Sequence, residues 1–155
     1  MSPEGQFLQR PDIEQILPHR RPFMFLESAE IIESGKLAIG QLADLTHPDF
    51  IFLKGHFPSF QVVPGAILME TLAELAGIAL ASGNTDQDQK IGFLVKDAMR
   101  YRQMVRPGDL IELKAEILSF RHNLAISKVQ AFKEGKIATE GEIEFSLVDI
   151  SNWEK

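Results

Sequence analysis

One long and almost wholly apolar stretch of the sequence constrains the fold more than any other feature. Twelve of the sixteen residues in 66–81 are apolar, and Pro64 precedes them. Proline is tolerated in the first turn of a helix, and the pair Gly83-Asn84 is typical of a helix end, so a helix is predicted from Pro64 to about Ser82. A helix that is apolar on all sides needs cover on all sides. The rest of the chain must supply that cover.

The segments on either side of this helix have the composition of β-strands. Upstream, residues 23–32 and 36–45 flank a Ser34-Gly35 turn and predict a hairpin, after a short helix over 11–17. Residues 46–61 are interpreted as a loop. Downstream, strands are predicted over 91–104, 110–120, 124–133 and 136–148. This order predicts the α+β class, with one antiparallel sheet curled around the helix. Because one sheet covers one side of a helix, a dimer with two sheets edge to edge is also expected.

Size and composition limit the classes of function. A chain of 155 residues is expected to form one domain over 1–155. Its net charge of −6 argues against bulk binding to nucleic acid. The absence of cysteine excludes disulfides, thiolate nucleophiles and Cys-ligated zinc. The apolar stretch is too short and too interrupted for a membrane span, and the first residues lack a signal-peptide core. A cytoplasmic location is therefore expected.

Ionisable residues interrupt the most apolar part of the sequence. Glu70 and Glu74 lie four residues apart, on one face of the predicted helix, and His56 lies in the preceding apolar loop. Burial would favour a protonated Glu70 that can donate a proton, whereas Glu74 is expected at an exposed edge. Histidine titrates near neutrality and can act as a base. The residues predict acid–base chemistry with no metal and no cofactor.

The start of the predicted helix adds a place for a carbonyl group. Its free N–H groups and the positive end of its dipole can stabilise an oxyanion, and Gly65 has no side chain to keep a ligand away. His56 could then remove the α-proton of a carbonyl compound, and Glu70 could protonate a hydroxyl that leaves the β-carbon. This chemistry is loss of water from a β-hydroxyacyl compound. The alternative is that all three residues are structural, and whether His56 and Glu70 meet within one chain or across a dimer stays open.

Three motifs resemble the β-hydroxyacyl-[acyl-carrier-protein] dehydratases of the FabZ type, in the hot-dog fold family. They are LPHRRPF at 17–23; GHFP at 55–58 with VVPG at 62–65 and Glu70; and RYR at 100–102 with VRPGD at 105–109. The resemblance covers roughly 13–148. It implies a long helix wrapped by a curved antiparallel sheet, in dimers that often assemble as a hexamer, a trimer of dimers. It also implies that His56 is the base, that Glu70 from the facing subunit is the acid, and that the Gly65 N–H polarises a thioester carbonyl.

The resemblance further implies a substrate and a partner. The substrate is an acyl chain on the phosphopantetheine arm of an acyl carrier protein, dehydrated to the trans-2-enoyl thioester in fatty acid biosynthesis. Phe57 and Val63 are candidates for lining the acyl tunnel, with ordinary packing as the alternative. Carrier proteins are acidic, so a docking face must be locally basic. The candidates for that face are Lys54, Arg100, Arg102 and Arg106.

Some positions depart from the family pattern. Ser59 and Gln61 stand where Gly and Pro are usual, and Glu74 stands where Gln is usual, so the acyl-chain preference is left open. His19 and Arg20 are predicted to fix a turn.

Three other functions remain as alternatives. One is a hot-dog thioesterase, in which Glu70 activates water. Another is a dehydratase of a specialised polyene or polyketide pathway. The third is an inactive acyl-binding protein, which the retention of both His56 and Glu70 makes the least favoured.

Overall fold

A computed structural model of the chain describes residues 4–83, 90–151 and 153. The elements in chain order are β1 (Phe7–Gln9), α1 (Arg10–Ile16), β2 (Leu26–Glu33), β3 (Leu37–Leu42), a 3₁₀ helix (Pro48–Gly55), α2 (Gly65–Ala81), β4 (Lys90–Tyr101), β5 (Ile111–Arg121), β6 (Leu124–Lys133) and β7 (Lys136–Asp149).

The strands form one antiparallel sheet in the order β1-β2-β3-β5-β6-β7-β4. Helix α2 packs against strands from both halves of this order, namely β2, β3, β5, β6 and β4. The sheet therefore wraps the helix, and the predicted α+β class is confirmed.

The core lies between α2 and the sheet. Leu72, Leu75 and Ile78 of α2 are fully buried, which explains why the helix needs so few polar residues. Burial of one such side chain contributes about 1.5–3 kcal/mol to folding. Thr71 is also buried, and its hydroxyl is satisfied because it donates to the Ile67 carbonyl within the helix at 2.6 Å. In the described part of the chain, no helix has the length and apolar character needed to cross a membrane.

The observed boundaries differ from the predicted ones in a few places. The strand predicted over 23–32 begins only at Leu26, because a turn with a Phe23 N–H to Arg20 carbonyl bond of 2.8 Å comes first. The segment 46–61, predicted as a loop, contains the 3₁₀ helix. His47 caps that helix, since its Nδ1 accepts from the Asp49 N–H at 3.1 Å.

Two further boundaries also moved, and one element was missed. Pro64 is the N-cap of α2 rather than its first residue, and β4 ends at Tyr101. Strand β1 was not predicted, because three residues are too few for a period-two pattern. Asn84, predicted to help end the long helix, lies outside the described residues.

Candidate active site

The carboxylate of Glu70 meets a histidine, and that histidine is His19. The His19 Nε2 atom lies 3.2 Å from Glu70 Oε1, and both side chains are about one quarter exposed. This hydrogen bond is the main reason that the pKa of His19 is raised; burial lowers it, and the charge of Glu74 adds a smaller rise. The prediction that His19 fixes a turn is therefore wrong. Arg20 does so, because its guanidinium donates to the Leu17 carbonyl at 3.0 Å and to the His19 carbonyl at 2.6 Å.

A glycine in α2 allows this meeting. A Cβ atom added to Gly77 would lie 3.2 Å from Cδ2 of Leu17, the residue that follows α1. The missing side chain lets the end of α1 approach α2 closely. The segment between α1 and β2 then starts beside α2, and His19 lies against Glu70. This placement depends on helix packing, which local sequence does not show.

Glu74, expected at an exposed edge, is buried. Its side chain is 1% exposed, and Oε1 accepts the N–H groups of Phe25 and Leu26, each at 3.0 Å. The carboxylate satisfies two peptide groups at the start of β2, which explains its position. Oε2 is also buried, and the described residues offer it no hydrogen-bond partner. Burial raises the pKa of Glu74 from 4.5 to about 7, although His19 and the two N–H groups oppose the rise.

Three ionisable side chains consequently form one cluster. One ring nitrogen of His19 and one carboxylate oxygen each of Glu70 and Glu74 lie within 4.8 Å of one another. At this separation the three groups can share protons. The absence of a metal, expected from the sequence, stays a prediction.

His56 lies just after the 3₁₀ helix in an orientation fixed by its neighbours. Its Nδ1 atom is 2.8 Å from the Val62 carbonyl oxygen, and its ring stacks on Phe57 with centroids 4.3 Å apart. A carbonyl oxygen only accepts, so Nδ1 carries the proton and Nε2 of the neutral ring has the free lone pair. This tautomer suits a base. The described contacts of Glu70 include His19 but not His56.

The residues around the start of α2 are closely packed. Val63 is buried, and its N–H donates to the Val105 carbonyl at 2.7 Å. A Cβ atom added to Gly65 would lie 2.8 Å from the Tyr101 ring, so a side chain there would have to displace that half-exposed ring. Gly65 therefore has a packing role, whatever ligand its N–H binds. The tunnel-lining roles of Phe57 and Val63 stay predictions.

An apolar cavity of about 100 Å³ runs from this cluster along α2. His19 and Glu70 line one end, and Leu80, Ala81 and Lys90 line the other. Over the eleven residues between Glu70 and Ala81 the helix rises roughly 16 Å. The rest of the lining is largely apolar and includes Leu17, Met69, Ala73, Gly77, Phe145 and Leu147.

Two of the four basic candidates for a docking face have partners within the chain. Arg102 Nε lies 2.6 Å from Glu140 Oε2. Arg106 donates to the Gln61 carbonyl at 3.2 Å, and its guanidinium lies 4.4 Å from the centre of the Phe60 ring. Lys54 and Arg100 are exposed. Arg106 thus holds the loop that follows His56, and the docking role of all four stays a prediction.

Comparisons with known proteins agree with this geometry. The FabA-like domain matches residues 17–142. The 3-hydroxyacyl-[acyl-carrier-protein] dehydratase FabZ of Ruminiclostridium cellulolyticum is 37% identical over 142 residues, which cover 90% of this chain and 97% of that protein. The structure of the dehydratase heterocomplex ApeI:P from Xenorhabdus doucetiae superposes with a TM-score of 0.71 at 17% identity, over 88% of this chain and 90% of that one. The fluoroacetyl-CoA thioesterase FlK superposes with a TM-score of 0.63 at 12% identity, over 79% and 92%.

A long helix wrapped by this antiparallel sheet, with an acid–base cluster at one end of an apolar cavity, defines a hot-dog fold protein. The structural neighbours have the same fold. The chain belongs to the FabA-like family, and its curated relatives include FabZ-type dehydratases at about one-third identity over most of the chain. The family and the fold expected from the three motifs are confirmed.

Proposed function

We propose that this chain is a 3-hydroxyacyl-[acyl-carrier-protein] dehydratase of fatty acid biosynthesis. It removes water from a 3-hydroxyacyl thioester on an acyl carrier protein and forms the trans-2-enoyl thioester. The observation that carries the proposal is the position of the Glu70 carboxyl at one end of the apolar cavity. The 37% identity to a FabZ dehydratase over 90% of the chain supports the choice of reaction.

The chemistry requires a base, an acid and an oxyanion site. The N–H groups at the start of α2, beginning with Gly65, polarise the thioester carbonyl and acidify the α-proton. Nε2 of His56 accepts that proton. The protonated Glu70 carboxyl donates its proton to the β-hydroxyl, the C–O bond breaks, and water leaves. After this step His56 carries the α-proton of the substrate, and Glu70 has given its own proton to the departing water. Exchange with solvent restores both residues before the next turnover.

A homodimer brings the two catalytic residues together. Among the described strands, β4 lies at the end of the sheet and pairs with β7 on one side. Seven of its consecutive residues, 92–98, are exposed. Among them Phe93 is 62% exposed. An unpaired apolar edge of this kind favours pairing with a second strand, and a twofold dimer lets β4 pair with its copy. In that dimer Glu70 of one subunit completes the site that contains His56 of the other, and further assembly gives a hexamer.

The acyl carrier protein is the partner that delivers the substrate. Lys54, Arg100, Arg102 and Arg106 form its docking face, and the acyl chain occupies the apolar cavity. The cytoplasmic location expected from the sequence and the single domain over 1–155 belong to the same proposal.

The first experiment follows the absorbance of the enoyl thioester as it forms from a β-hydroxyacyl thioester. His56→Ala and Glu70→Gln are each expected to lower kcat by about a hundredfold or more, as for acid–base groups. The exposed Glu33→Gln serves as the matched control for the charge change. Activity that survives His56→Ala would refute the mechanism. Free thiol is measured in parallel, since its release would indicate a thioesterase; the chain has no cysteine to interfere.

A second experiment tests the shared site. The two inactive variants, His56→Ala and Glu70→Gln, are co-expressed with different tags, and the mixed dimer is purified. One of its two sites then combines a normal His56 with a normal Glu70, so about half of the wild-type activity per dimer is expected. A mixed dimer with no activity would show that both residues of a site come from the same subunit.

A further inference from the structure

The buried carboxylate of Glu74 has no role in the mechanism above. It is 1% exposed, and Oε1 accepts two peptide N–H groups, whereas Oε2 is buried without a hydrogen-bond partner among the residues that the structure describes. An unpaired carboxylate oxygen in the interior is costly. Glutamine would accept the same two N–H groups with its own side-chain oxygen and carry no charge. The extra charge therefore calls for an explanation that the packing of β2 does not provide.

Glu74 faces the candidate acid and the histidine that is bonded to it. One oxygen of Glu74, one of Glu70 and one ring nitrogen of His19 lie within 4.8 Å of one another. The groups that act on Glu74 are His19 in the segment after α1, Glu70 on its own helix, and the Phe25 and Leu26 N–H groups of β2. Arg20 acts on His19 from the adjacent position and opposes its protonation.

We propose that Glu74 is a positioning residue whose negative charge keeps a proton on the His19–Glu70 pair, so that Glu70 can still protonate the leaving hydroxyl above neutral pH. The inference rests on the proposed dehydratase function. A negative charge favours the protonated form of any ionisable group close to it, and both members of the pair are close to Glu74. The effect is strong because the cluster is partly shielded from water.

The proposal has a characteristic pH dependence. Burial raises the pKa of Glu74 to about 7, so its charge is largely absent below neutrality and present above it. Wild type and Glu74→Gln therefore carry the same charge at this position in acid and different charges in alkali. As the pH rises, the variant loses the proton on His19 earlier than the wild type does, because the Glu74 charge that raises the pKa of His19 is missing.

The test compares kcat/KM of wild type and Glu74→Gln from pH 5.5 to 9, in the presence of EDTA so that no stray metal occupies the cluster. The ratio of wild type to variant is expected near one below pH 6 and to rise to about tenfold by pH 9, which corresponds to an alkaline limb shifted down by about one unit. Glu74→Asp, which restores the charge, should recover the wild-type profile. A ratio that is constant across the pH range would indicate a structural role and overturn the proposal.

A second readout does not depend on activity. The titration of His19 is followed by NMR of its ring nitrogens, assigned by comparison with His19→Asn, since the chain has only four histidines. In Glu74→Gln the midpoint for His19 is expected to fall. If the wild type proves to have no dehydratase activity, the proposed function fails, but a lowered midpoint still supports the coupling within the cluster. An unchanged midpoint overturns the inference.

Discussion

Replacement of Glu74 by glutamine should change how the stability of the protein depends on pH. The folded-state pKa of Glu74 is about 7, above its ordinary value of 4.5, so the folded state binds the proton more tightly than the unfolded state does. This stabilisation is fully present below pH 4.5 and is lost as the pH rises through 7. At 1.36 kcal/mol for each pKa unit, the loss is about 3 kcal/mol in total, of which most falls between pH 5 and pH 8.

The assay is urea denaturation at pH 5 and pH 8, at one fixed protein concentration because a dimer is expected. The unfolding free energy of the wild type should fall by about 2–3 kcal/mol relative to that of Glu74→Gln between the two pH values. The raised pKa of His19 acts in the same direction, since its stabilisation is also lost as the pH rises. Glu33→Gln, which changes an exposed carboxylate, should follow the wild type. A difference between wild type and Glu74→Gln that is the same at both pH values would refute the reasoning.

Three further predictions concern packing and assembly. Gly65→Ala places a Cβ atom 2.8 Å from the Tyr101 ring, so kcat/KM should fall about tenfold or more. Tyr101→Leu in the same chain should recover part of this loss. A Gly65→Ala enzyme with unchanged kcat/KM would contradict this account of the packing. Leu72→Ala removes a fully buried side chain of α2 and should cost about 2–5 kcal/mol in urea denaturation, whereas Leu110→Ala, 89% exposed, should change stability by no more than about 0.5 kcal/mol; similar losses would contradict the assigned core. Phe93→Asp on the β4 edge should give monomers in sedimentation velocity, and the control Leu110→Asp should stay dimeric. A dimeric Phe93→Asp protein would place the interface elsewhere.

Much of the fold could be predicted because its strongest signals are local. The composition of 66–81 predicts a buried helix, and the observed α2 spans Gly65–Ala81. The hairpin of β6 and β7 was predicted almost to the residue from the turn at Glu134 and Gly135. In the structure both residues have positive φ, as a tight hairpin turn requires. The 3₁₀ helix was missed because its sequence shows no hydrophobic period. Its capping residue, His47, accepts the N–H group of Asp49 two positions away, and this local contact leaves no pattern in the sequence.

The sequence supplied candidate residues for the site but not the contacts between them. The motifs around His56 and Glu70 identify the family, and the tautomer of His56 agrees with a base. The partner of Glu70 within the chain is nevertheless His19, from a segment fifty-one positions earlier. The LPHRRPF motif contains this histidine, but no spacing rule connects it with α2.

The sequence by itself determined that the chain has a long buried helix, a largely antiparallel sheet, and the motifs of its family, because periodicity and motifs are properties of neighbouring residues. Only the tertiary structure decided which glutamate of the helix is buried. Glu70 and Glu74 share a face and look equivalent in sequence, yet the start of β2 covers Glu74 with two N–H groups and leaves Glu70 beside the cavity. That difference arises from the packing of distant segments on one helix, and it separates a carboxyl that lines the cavity from one that is held in the interior.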